Sequence, residues 1–103
     1  MFSAYAFPVA LLELSADVTS AQPVAVRAAL VNMVEGTVTA TSNGFRVEGT
    51  VESEDPETAN RQLFTTLRRI EPRTTVRAQW RLDGSIHRFV DLTAQRTFAD
   101  TSA

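Results

Sequence analysis

The chain has 103 residues, 44% of them hydrophobic and 21% charged, which fits one globular domain that buries a core without staples. It holds no cysteine, which excludes disulfides, thiolate metal sites, thiol nucleophiles and lipidated cysteine anchors. The net charge is −2 and unevenly placed: residues 44–60 are acidic, and residues 61–96 are rich in arginine. All ten basic residues are arginine, a bias expected of the GC-rich genomes of some bacteria and their phages.

Residues 1–14 are apolar, and Thr19-Ser20-Ala21 has the small residues of a cleavage region. The basic flank of a signal peptide is missing, Pro8 interrupts the run, and Glu13 and Asp17 follow. The run is too short to span a bilayer. A strand is expected instead, with Leu14, Ala16 and Val18 on one face and Glu13, Ser15 and Asp17 on the other. Upstream, Tyr5, Phe7, Val9 and Leu11 carry the apolar parity. A bulge or bend near Leu11-Leu12 would reconcile the two phases, as would a short helical turn after Pro8.

Thr19 or Ser20 can cap a helix with Pro23 in its first turn. Residues 24–34 are apolar nearly all round, broken by Arg27, Asn32 and Glu35, so this helix is expected to be mostly buried, in the core or in a homodimer contact. Gly36 is expected to end it. Residues 37–41 and 45–53 alternate about Asn43-Gly44, which predicts a hairpin. Val38, Ala40, Phe45, Val47 and Val51 share one face. Threonines, Arg46, Glu48 and Glu52 share the other. Gly49 sits at an inward position, where it leaves room for close approach by a helix or marks a bulge.

Asp55 and Pro56 are a cap and a first helical position. Ala59, Leu63, Phe64, Leu67 and Ile70 form the apolar stripe of the helix that follows, with Arg61, Thr65, Arg68 and Arg69 opposite. Pro72 stops it. Residues 75–82 form a strand with Val76, Ala78, Trp80 and Leu82 inward and Thr75, Arg77, Gln79 and Arg81 outward. After Asp83-Gly84 the chain returns. The apolar majority there predicts Ile86, Val90 and Leu92 inward, Arg88 at a rim, and His87, Phe89 and Asp91 outward. Residues 97–103 read as a frayed tail, leaving residues 1–96 as one domain.

The layout is β-α-β-β-α-β-β. With right-handed crossovers it predicts an α+β, ferredoxin-like sandwich, two helices covering one face of an antiparallel sheet.

Val26-Arg27-Ala28-Ala29-Leu30, the run from Asn43 to Val51 containing Gly49-Thr50-Val51, and the alanine- and leucine-bearing helix after it resemble a BON domain. That αββαβ module of bacterial envelope proteins would cover residues 26–82. The resemblance implies a non-enzymatic module associated with membrane or ligand binding, in the envelope. The strands added at both ends depart from the pattern, as does the missing export signal, and without the resemblance a cytoplasmic location is expected. A topological likeness to dimeric α/β-barrel enzymes says little about function.

No constellation of catalytic residues stands out. Ser85, His87 and Asp91 share a strand face, but neighbours two apart lie about 6.5–7 Å from each other, beyond the reach a nucleophile and its base require. A lone histidine without cysteine is a poor metal ligand set. The glycines are isolated, so there is no phosphate loop, and no cofactor is expected. The open sheet face has Phe89 as its one expected aromatic, against sequence-specific recognition of nucleic acid. The cluster that remains is cationic. Arg77, Arg81 and Arg88, with His87 and Phe89, are the candidate contacts for a protein partner, an anionic ligand or a second copy of the chain. The competing expectation is a small cofactor-free enzyme with a pocket near Trp80.

Overall fold

A computed structural model describes residues 9–21, 23–95 and 98–99. Among these residues seven strands and two helices follow one another: β1 (Ala10–Thr19), α1 (Pro23–Met33), β2 (Glu35–Ala40), β3 (Gly44–Ser53), α2 (Pro56–Ile70), β4 (Thr75–Leu82), β5 (Ser85–Val90), β6 (Thr93–Ala94) and β7 (Phe98–Ala99). The strands form one sheet in the order β2-β3-β1-β4-β5-β6, with β7 also on β5. Every pairing is antiparallel. The fold is α+β, with an antiparallel sheet and two helices.

β1 lies at the centre because its alternation leaves one fully apolar side. Leu12, Leu14, Ala16 and Val18 are buried, and through the register they stand beside Val47 and Phe45 of β3 and Trp80, Ala78 and Val76 of β4. These residues join Val26 and Leu30 of α1, Val34 just beyond it, and Ala59, Leu63, Phe64 and Leu67 of α2 in a single core cluster. Both helices therefore cover the same side of the sheet. Pairing of β1 with β3 runs unbroken from Ala10↔Ser53 to Thr19↔Gly44. The strand has no bulge near Leu11, and Val9 and Leu11 stay exposed on the open side. The expectations for Tyr5 and Phe7 lie outside the described residues, as does most of the expected tail, of which Phe98 and Ala99 pair with Ile86 and Ser85.

α2 forms as its sequence dictates. The Asp55 carboxylate accepts a hydrogen bond from Thr58 N–H at 2.7 Å, and Pro56 occupies the first turn. Its apolar stripe packs on the core. Arg68 departs from expectation. Instead of facing water it lies 4.6 Å over the Phe64 ring and donates from Nε to the Thr74 carbonyl at 2.6 Å.

α1 departs further. It begins at Pro23 rather than at Thr19 or Ser20, since Thr19 is still paired in β1 and Ser20 N–H bonds the Asn43 carbonyl. It ends at Met33, and Gly36 belongs to β2, not to a helix cap. Only one side is buried: Val24 is 84% and Val31 55% exposed.

The first hairpin turns one residue earlier than Asn43-Gly44 predicts. Thr41 N–H bonds the Gly44 carbonyl at 2.8 Å, so Ser42-Asn43 form the tip. Gly44 is held in β3 against β1, where a Cβ would strike the Val18 carbonyl. Gly49 stands opposite Gly36, and a side chain on either would collide with the other strand's backbone. The close approach expected at Gly49 is thus by a strand, not a helix.

The second hairpin corrects the phase of β5. Asp83 (φ 50°) and Gly84 (φ 79°) are both left-handed, which makes a tight two-residue turn pairing Leu82 with Ser85. Counting back from that pair, Trp80 faces His87 and Ala78 faces Phe89. Phe89 is buried at 6% exposure, while Val90 (42%) and Leu92 (54%) are exposed. Ile86 and Val90 pair with Arg81 and Arg77, on the open side. The expected inward set of Ile86, Val90 and Leu92 is therefore inverted. Asp91 tolerates the inward phase because its groups are bound. It has φ 55°, its carboxylate accepts from Val76 N–H at 2.8 Å, and its own N–H donates to the Val76 carbonyl at 2.7 Å.

Candidate functional site

The open side of the sheet carries the polar residues that alternate with the core set. Strand register lines them up in rows. Thr39, Arg46, Asp17, Arg77 and Val90 form one row across β2, β3, β1, β4 and β5. The next holds Thr37, Glu48, Ser15, Gln79 and Arg88, and the third Glu35, Thr50, Glu13, Arg81 and Ile86. The rows give the face two halves. β2, β3 and β1 carry Glu35, Glu48, Glu13 and Asp17; β4 and β5 carry Arg77, Arg81 and Arg88.

Arg46 is the one arginine on the acidic half, and it is tied down. Its guanidinium reaches Asp17 Oδ2 at 3.1 Å and Glu48 Oε2 at 3.4 Å and donates to Ser15 Oγ. The sequence did not single out this brace, because its partner Asp17 is set by the β1–β3 register, a long-range property. Arg81 spans the seam to Glu13 at 3.4 Å. These are exposed pairs, worth at most about 1 kcal/mol each and weakened by salt. Arg88 Nε donates to Gln79 Oε1 at 3.1 Å. Arg77 lies opposite Asp17 and is exposed, and its side chain makes no hydrogen bond or ion pair to the described residues.

Two shallow depressions lie on this face. One of ≈ 480 Å³ is bounded by Glu13, Ser15, Glu48, Thr50, Gln79 and Arg81. The other, ≈ 360 Å³, is bounded by Asp17, Arg46, Arg77, Gln79, Arg88 and Val90, among others. Both are open, so a ligand there keeps contact with water and gains from charge rather than from enclosure.

The structure brings Arg77, Arg81 and Arg88 together and separates His87 and Phe89 from them. Phe89 is in the core. His87 is half-buried on the helix side, where with Asp55, Pro56, Glu57, Phe89 and the neighbouring Arg88 it borders a cleft of ≈ 300 Å³. The expected outward aromatic is therefore absent. Among the described side chains, the open face of β1 to β5 carries no aromatic ring on which a base could stack.

Beneath the sheet, Trp80 is fully buried and donates from Nε1 to Asn60 Oδ1 at 3.2 Å. Asn60 Nδ2 donates in turn to the Asp91 carbonyl at 2.8 Å. The expected pocket position is thus filled by a hydrogen-bonded lock between α2, β4 and the end of β5, which commits the polar group of the indole. The Thr58 N–H holds the Asp55 carboxyl below its ordinary value, with a smaller pull from Arg61. This is a helix cap, not a reactive acid. Among the described residues no group of three or more His, Cys, Asp or Glu is placed to hold a metal ion, and no helix is long and apolar enough to cross a membrane.

No family model, curated protein or solved structure matches this chain.

Proposed function

We propose that this chain is a small non-enzymatic interaction module that self-associates and binds an acidic protein segment or other anionic ligand through the β4–β5 half of its open face. One observation carries the reading. Arg77, Arg81 and Arg88 project from neighbouring strands on one side of the sheet, and the Arg77 guanidinium makes no hydrogen bond or ion pair to the described residues. A guanidinium in that position presents several N–H donors to carboxylates in a fixed planar fork. The absence of an aromatic ring on the open face of β1 to β5 favours carboxylate or phosphate contact over base stacking there.

The strand order β2-β3-β1-β4 with a helix in each crossover supports a ferredoxin-like sandwich extended by a hairpin. The run from α1 to β4 has the αββαβ order of the BON-like reading, which rests on the sequence resemblance alone.

The test is an amide-shift titration of the ¹⁵N-labelled protein with a glutamate-rich peptide. The amides of Arg77, Gln79, Arg81 and Arg88 should move together, and the shifts should vanish in an Arg77→Glu/Arg81→Glu variant and fade with added salt. Shifts confined to other strands, or a double variant that binds as the parent does, would refute the assignment.

A further inference from the structure

We infer that the self-association proposed above is made by the edge of β2 that no described strand pairs, together with the outer stripe of α1, with a second copy of this chain as the occupant. The inference rests on that reading and gives it a surface. The two edges of the sheet are unlike. On one side the edge is divided between the two-residue strands β6 and β7, which break its line. On the other, β2 runs for six residues with no lysine, no proline and only Glu35 charged. Natural edges usually carry such blocking devices, and an edge without them is a template for another strand.

The phase of that edge is set by β3. Thr41 N–H bonds the Gly44 carbonyl, so hydrogen-bonded pairs alternate back along the hairpin through Thr39/Arg46 and Thr37/Glu48. The N–H and C=O groups of Gly36, Val38 and Ala40 therefore point away from β3, outward in the plane of the sheet. An antiparallel copy centred on Val38 uses all of them: Val38 bonds Val38 of the copy, and Gly36 bonds Ala40 of the copy, twice by symmetry. Thr37 then stands beside Thr39 of the copy on the open face, a favourable cross-strand pair. Glu35 falls opposite Thr41 of the copy, so no like charges meet along the strand.

The helix above this edge fits the same symmetry. α1 packs over β2 and β3, and its exposed Val24, Ala28 and Val31 recur at i, i+4 and i+7. Arg27 is its only charge. A twofold axis normal to the sheet through Val38 sets α1 antiparallel to its copy. With strands about 4.8 Å apart and each helix over the gap between β2 and β3, the axes lie about 10 Å apart, the spacing of packed helices. The half-buried Val38 and its copy are then covered by the helix pair.

Sedimentation equilibrium of the full chain, from about 10 µM to about 1 mM, tests this at the weak affinity of a small interface. A monomer–dimer equilibrium is expected, and it should not weaken with salt, since backbone hydrogen bonds and apolar contact carry it. Val38→Pro removes an outward N–H and replaces a half-buried side chain with one of similar size, and Val31→Glu alters an exposed position. Each should weaken the dimer at least tenfold while circular dichroism stays unchanged. The chain has no cysteine, so Val38→Cys should oxidise to a covalent dimer, its Cα atoms being about 5.5 Å apart across such a pair. Gln79→Cys, on the arginine face, should not. A dimer that Gln79→Cys traps and Val38→Cys does not, or one insensitive to Val38→Pro, overturns this surface and leaves self-association standing. A monomer throughout overturns both. A monomer whose Val38 amide resists hydrogen exchange until residues 1–8 are deleted assigns the edge to the chain's own N-terminal segment and overturns the inference.

Discussion

Asn60→Ala is the sharpest test of how the layers are joined. Asn60 is 1% exposed and holds two groups at once, the Trp80 indole N–H and the Asp91 carbonyl. Truncation leaves the indole N–H in the core without a partner, at about 1–3 kcal/mol. The Asp91 carbonyl is only half-buried and regains some water, so its loss is nearer about 1 kcal/mol. The sum, about 2–4 kcal/mol, is a large part of a total stability of about 5–15 kcal/mol. With a urea slope of roughly 1–1.5 kcal/mol/M for a domain this size, the midpoint should fall by about 1.3–4 M. Trp80 is the chain's only tryptophan, so its fluorescence reports the transition at the site itself. Asn60→Leu fills the space without restoring either bond and should recover little. An Asn60→Ala variant within about 0.5 kcal/mol of the parent would show that the lock is ornamental and that packing alone joins α2 to the sheet.

Other variants probe other levels of the structure. Phe89→Ala should cost about 3–5 kcal/mol and Val90→Ala less than about 0.5 kcal/mol, measured by urea unfolding; equal costs would reverse the assigned phase of β5. Gly49→Ala should cost about 1–3 kcal/mol and raise hydrogen exchange selectively in β2, because the new methyl group meets the Glu35 carbonyl. Asp55→Ala should cost about 1 kcal/mol. The folded state lowers the Asp55 pKa, so its stabilisation is complete above the unfolded carboxylate value and is lost as pH falls through the folded one. Asp55→Asn keeps the cap and should flatten that part of the acid-stability profile. Arg46→Ala should cost under about 1 kcal/mol, with the difference disappearing in high salt.

Most of the fold was legible where the cause was local. Asp55-Pro56 and the spacing of Ala59, Leu63, Phe64 and Leu67 specify α2, and strict alternation specifies the inward sets of β1 and β4. The phase of β5 was also written in the sequence, in Asp83-Gly84. A two-residue turn pairs its flanking residues, and counting on from Leu82 and Ser85 places His87 opposite Trp80. The apolar character of Ile86, Val90 and Leu92 pointed the other way, because a strand next to the sheet's broken edge can leave such residues exposed. What could not be read was set by distant strands. Gly44 serves β1 rather than the turn, and Arg46 is paired by register with Asp17. The arginines of β4 followed from alternation alone, whereas Arg88 joined them only once the hairpin register was known.

The central position of β1 has a consequence for synthesis on the ribosome. Its two neighbours, β3 and β4, are made long after it; the contact between Glu13 and Arg81 spans 68 positions. Until β4 leaves the exit tunnel, Leu12, Leu14, Ala16 and Val18 can be flanked on one side at most. The emerging polypeptide therefore carries an uncovered apolar ribbon for most of its translation, and pairings this remote close slowly. Holding factors that bind extended apolar segments should engage this chain early and release it only once residue 82 is out.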